Sequence, residues 1–187
     1  MNNFVNELSQ IMPPPAEGGT IVDWDHVERN YELPFPADFK DFIRRYGAGL
    51  IDDYLSVKAP DPGNRFIDLI QSSFDFAGTL RGVRDTLPVE LSHPLESRVG
   101  GIILWAANED GDLCFWISDG HNPDRWRVGV YSRNFNDWNE YPFGFSEFLV
   151  GVLKGEIESP FSRSDFPSKR PGFKFWRTYL DELLDEG

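Results

Sequence analysis

Apolar residues recur along this chain at two different periods, and the changes between them divide it into three parts. In the first part the period is helical. Phe4, Leu8 and Ile11 share one face before Pro13-Pro14-Pro15 stops the segment, and Ala16–Thr20 is a small-residue link containing glycine. Asp23 is placed to cap a short helix carrying Trp24 and Val27, which ends before Leu33-Pro34. The clearest helix follows. Pro36 suits its first turn, Phe39, Phe42, Ile43 and Tyr46 fall at i, i+3, i+4 and i+7, and Gly47 is a natural stop.

In the middle part the period shortens to two. Leu50–Val57 alternates and reads as a strand after the Gly47–Gly49 turn. A further helix is expected within Asn64–Leu87, burying Phe66, Leu69, Ile70, Phe74 and Leu80, with Gly78 as its weak point. The run Ile102-Ile103-Leu104-Trp105 then has strand length. In Leu113–Ile117 both alternating faces are apolar, as in a central strand covered on both sides. The Asp110-Gly111 step between them is a hairpin signal, because glycine tolerates positive φ. Arg127–Ser132, with Val128 and Val130 alternating, is another strand.

The last part returns to helical spacing. Phe145, Phe148, Leu149, Val152 and Leu153 define a helix within Phe143–Leu153, and Ser159–Pro171 is a polar connection. A final amphipathic helix is expected from Phe173 to about Leu184, with Trp176, Tyr179, Leu180 and Leu183 on one side. Helices, then strands, then helices argue an α+β fold rather than repeated βαβ units. A chain of 187 residues, 40% hydrophobic and 15% aromatic, is expected to form one domain with a real core.

Charge narrows the function classes. Against 18 basic residues stand 31 acidic ones, a net −13. Such a surface repels phosphate, so nucleic acid and anionic membranes are excluded as expected partners, and a basic protein is favoured. The single cysteine, Cys114, forms no internal disulfide, and the N-terminal segment lacks a signal-peptide pattern; a cytoplasmic location is expected. No apolar run approaches the ~20 residues of a membrane helix.

Four local patterns stand together in order. They are Glu32–Phe42 running on to Tyr46–Gly49, then Gly100–Trp105 followed by Asn108–Asp112. Next come Leu113–Trp116 with Asp124–Trp126 after them, and finally Phe145–Leu149 with Leu153–Gly155. In this order and spacing the chain resembles the SUKH superfamily, over about Trp24 to Gly155. Segment 1–20 and the helix after Phe173 lie outside the best-matched region. Ala106-Ala107 stands where many members carry a glycine, a departure that bears on the hairpin geometry. The resemblance implies an antiparallel, roughly six-stranded sheet flanked by helices. It also implies a non-enzymatic role: an immunity protein that binds and neutralises a polymorphic toxin, often a nuclease, by occluding its basic surface. Other members are regulators, including a yeast cell-wall assembly factor, so an interaction module with no toxin partner is the alternative. A monomer or weak dimer with no cofactor is expected.

The candidate contact residues are acidic and aromatic. Glu109, Asp110 and Asp112 occupy the hairpin tip; Asp119 and Asp124 occupy the next loop. The tip is either a solvated turn or a binding element. It does not fit a calcium loop, because Ala106 stands where the first acid is needed. Residues 105–125 hold five acids against one base, Arg125, enough excess to steer a basic partner. Each exposed charge contributes only ~0–1 kcal/mol, so affinity requires desolvated anchors. Trp105 and Trp116 read as core, whereas Trp126 and Trp138 lie nearer loops and are the candidate half-exposed anchors; Tyr131, Phe135 and Tyr141 share that ambiguity. Asp52 and Asp53, with Tyr54, either rim the same surface or form a solvated strand end.

Enzyme signatures are sparse. His26, His93 and His121 are scattered without metal-ligand spacing, and Cys114 lies in an apolar strand. Neither a nucleophile elbow nor a phosphate-binding loop is found, so no catalytic residue, metal or cofactor is assigned.

Overall fold

The computed structural model describes residues 3–83, 93–95, 98–134 and 137–185, without the side chains of 79–83 and 183. Expectations for Leu80, Phe135, Leu183 and the stretch up to Leu87 lie outside the described residues. The fold is α+β: among the described residues, helices flank one antiparallel sheet of seven strands. Six strands form a meander in chain order, and the seventh returns to the free edge of the first.

Three helices open the chain: α1 (Asn3–Ile11), α2 (Trp24–Tyr31) and α3 (Ala37–Tyr46). Asp23 caps α2 by accepting from the His26 amide at 3.0 Å. The expected single strand over Leu50–Val57 is instead a hairpin, β1 (Gly49–Ile51) and β2 (Leu55–Val57). Its turn places Asp52 and Asp53 at φ 53° and 52°, a left-handed pair that periodicity does not reveal.

Helix α4 (Leu69–Val83) begins later than Asn64. The Asp68 carboxylate accepts from the Ile70 and Gln71 amides and sets its start. Phe66 therefore precedes the helix and is 77% exposed, and Phe74 is also exposed; both correct the expected burial. Among the described side chains of α4, the buried ones are Leu69, Ile70, Ser73 and Ala77.

The centre of the sheet is β3 (Ile102–Ala107), β4 (Leu113–Ile117), β5 (Arg127–Ser132) and β6 (Asp137–Tyr141). A bulge between Leu104 and Ala106 inserts an extra residue into β3, which puts Trp105 and Ala106 in the same core cluster. On that face Ile103, Trp105, Cys114, Trp116, Val128 and Val130 pack under α3 and α5 (Phe145–Lys154). The opposite face carries Ile102, Leu104, Leu113, Phe115 and Ile117, and α4 lies against it through a 3.0 Å bond from the Leu104 amide to Ser73 Oγ. Both faces of β4 are thus buried, as its pattern predicts.

Past α5, residues 159–172 form a strap across one end of the sheet, with Phe161 and Phe166 buried against Tyr54. The last helix does not start at Phe173. Phe173–Phe175 is strand β7, paired with β1, and α6 runs over Trp176–Asp185. Among the described residues, no helix is long and apolar enough to cross a membrane.

Candidate functional site

Strand direction decides which candidate residues meet. β1 and β2 pair antiparallel, as do β2 and β3 through Ser56↔Ala107. The β1–β2 turn and the β3–β4 turn therefore sit at the same end of the sheet. The loop with Asp119 and Asp124 follows β4 and sits at the other end, roughly 17 Å away along a five-residue strand. The two acidic groups do not form one face, which corrects the expectation of neighbouring acidic loops.

At the first end the carboxylates divide by role. Asp112 is fully buried, contrary to its expected place on an exposed tip. It accepts from the Ser162 amide at 2.8 Å, Ser162 Oγ at 2.7 Å, the Arg133 amide at 2.9 Å and Asn108 Nδ2 at 2.9 Å. Burial pulls its pKa upward, but these donors outweigh burial and hold it below the ordinary carboxylate value. Asp52 plays a similar part, accepting from the Ser168 amide and Oγ and from the Gly172 amide. These two residues fasten the strap and are spent internally.

Asp53, Glu109 and Asp110 face outward or sit half-buried. Asp53 pairs with Lys174 at 2.8 Å, and Glu109 pairs with Arg163. Asp110 accepts from the Tyr54 hydroxyl at 2.8 Å. Burial first, then the two neighbouring carboxylates, push the Tyr54 hydroxyl well above its ordinary pKa, so it stays a donor. The Arg163 guanidinium lies 4.1 Å from the Tyr54 ring centroid.

At the second end the candidates are structural. Pro36 offers α3 no side-chain cap, and Asp124 supplies one by accepting from the Ala37 amide at 2.7 Å. In the same way α5 begins after Gly144 and is capped from α3, where Asp38 accepts from the Ser146 amide and Oγ, each at 2.8 Å. Burial raises the Asp38 pKa above the ordinary value despite these bonds. Asp119 is exposed and pairs with Arg127 at 3.0 Å. Trp126 is only 2% exposed, and its indole donates to the Gly120 carbonyl at 2.7 Å, so it is no half-exposed anchor. Trp138 belongs instead toward the first end, because it pairs with Tyr131, the partner of Leu113 at the start of β4; it is half-buried over Phe115, with its indole donating to Glu140 at 3.0 Å.

A groove beside the first end went unread in the sequence. It has a volume of about 470 Å³ and runs between α6 and the 64–67 segment, with Asp53 and Glu109 in its lining. Its floor is explained by register: Leu50↔Ser56 and Ser56↔Ala107 are cross-strand partners, so the three side chains share one face. Phe66, Trp176, Tyr179 and Leu180 supply apolar walls. The spacing of Trp176, Tyr179 and Leu180 was legible, but it signals a helix face without saying how completely that face is covered. Leu180 is in fact 37% exposed.

Among the described residues, no group of three or more His, Cys, Asp or Glu is placed to hold a metal ion. Cys114 is buried, and burial pushes its thiol pKa well up, away from nucleophilic character. No family model, no curated protein and no solved structure matches the chain.

Proposed function

We propose that this chain is an immunity-type binding protein that acts in the cytoplasm and neutralises a basic, nucleic-acid-acting toxin by covering its substrate surface. The observation that carries the reading is the end of the sheet where two turns, tied together by the Tyr54 bond to the half-buried Asp110, hold Asp53 and Glu109 toward solvent. Carboxylates on a rigid sheet end are preorganised, which lowers the ordering cost of docking. A toxin surface built for phosphates is electrostatically suited to them, and the chain's net charge of −13 favours fast encounter with a basic protein. The four sequence patterns shared with the SUKH superfamily support the same reading. Asp119 and Asp124, at the far end, are left out of the docking surface, as are the buried Asp112 and Trp126.

The test is co-expression with the product of the neighbouring gene. Growth protection together with co-purification of the two proteins is the expected result. A neighbouring product that is harmless to cells and does not co-purify removes the toxin reading and favours the interaction-module alternative.

A further inference from the structure

The groove beside the acidic end has a chemistry that names its occupant. Its floor is the row Leu50, Ser56 and Ala107, left open where α6 covers one flank and the 64–67 segment the other. Phe66 and Leu180 stand at the surface with 77% and 37% exposure, although both line this space. Large apolar side chains held open to water around one concavity mark a contact surface. The charged side chains of the lining are Asp53 and Glu109, and among the described residues no Lys, Arg or His lines it. Lys174 and Arg163, which pair with those two acids, approach from outside the lining. In both pairs the acid is well exposed, 59% for Asp53 and 66% for Glu109, so exchanging one cation for another costs little.

We infer that this groove takes a segment of a partner protein in which a large apolar side chain sits beside lysine or arginine. The apolar group fills the space over Leu50 and Ala107 between Phe66 and Leu180. The cationic group meets Asp53 or Glu109 at the rim and displaces Lys174 or Arg163. Charge disfavours the other occupants: the lining offers a phosphate no cation of its own, and a second copy of a chain at −13 brings net repulsion. The inference rests on the binding-protein reading but requires no particular toxin.

Amide chemical shifts of the isotope-labelled full chain test it, with three peptides as probes: acetyl-Trp-Leu-Arg-Lys-amide, acetyl-Trp-Leu-Glu-Asp-amide and acetyl-Gly-Ser-Arg-Lys-amide. The first is expected to shift the Leu50, Ser56, Tyr179 and Leu180 amides saturably, and the other two to bind at least fivefold more weakly. Phe66→Ser, at an exposed position, should weaken the first peptide at least fivefold while the rest of the spectrum stays in place. Asp53→Asn combined with Glu109→Gln should weaken it at least threefold. No saturable shift at these amides, equal binding of the acidic peptide, or indifference to both variants overturns the inference. Growth protection in co-expression without peptide binding at the groove also rejects the groove and leaves the toxin reading standing. Peptide binding without a toxic neighbour does the reverse.

Discussion

Asp112 and Ser162, fifty positions apart, share two hydrogen bonds, from the serine amide at 2.8 Å and from its hydroxyl at 2.7 Å. That contact ties the central hairpin to the strap that leads into β7 and α6, so one buried carboxylate holds a wall of the groove in place.

Replacing Asp112 by Ala should therefore cost stability on the order of 3 kcal/mol or more, because several buried donors lose their acceptor together. Glu109→Ala, at an exposed ion pair, should stay within about 1 kcal/mol. Urea unfolding of the two variants checks the contrast, and near-equal midpoints would contradict the buried role of Asp112.

The acidic limb of the stability curve has a definite sign. Glu140 is partly desolvated, yet bonds from Trp138, His93 and Arg127 hold its pKa at about 2, below the ordinary glutamate value of 4.5. Its folded value is depressed, so it stabilises fully above its unfolded value and loses that contribution as the pH falls from about 4.5 toward 2. Asp112, also depressed, acts in the same direction. Asp38 has a raised pKa and acts oppositely, its burden being relieved on protonation. Glu140→Gln should be less stable than the parent at pH 7 and should converge on it near pH 2, as followed by thermal unfolding at several pH values.

Charge reversal at the outward acids addresses encounter rather than folding. Asp53→Lys with Glu109→Lys should slow association with a basic partner roughly tenfold at low salt, and the difference should shrink as salt rises. Asp119→Lys, at the other end of the sheet, should change the rate far less. Stopped-flow association with the product of the neighbouring gene, where the two co-purify, measures both; an equal effect from Asp119 would remove the assignment of the docking end.

Gly129 in β5 lies directly beneath the Trp138 ring, where an added Cβ would come within 2.6 Å of two ring atoms. Gly129→Ala should displace the indole and cost about 1–3 kcal/mol. Loss of the Trp138 contact should appear as altered near-ultraviolet circular dichroism, and an unchanged spectrum with unchanged stability would rule out the close approach.

Local pattern determined much of this protein. The face of α3 formed by Phe39, Phe42, Ile43 and Tyr46 is buried as its spacing predicts, and β4 is covered on both sides as its double apolar alternation predicts. Those outcomes depend on neighbours within a few residues, which the sequence contains. The splitting of Leu50–Val57 by two left-handed aspartates and the conversion of Phe173–Phe175 into an edge strand depend on partners far along the chain. The same holds for the acids. Asp110 and Asp112 are two positions apart in one turn; Asn108 bonds Asp112 locally, but it is the distant Ser162 and Arg133 that reach Asp112 and bury it. Strand order likewise sent Asp119 and Asp124 to the opposite end from Glu109. Composition and periodicity thus determined the helices, the three central strands β3, β4 and β5, and the surplus of negative charge, but not β6 or β7. Only tertiary structure decided which carboxylates meet solvent, because exposure of a charged group is set by whatever distant segment brings it hydrogen-bond donors.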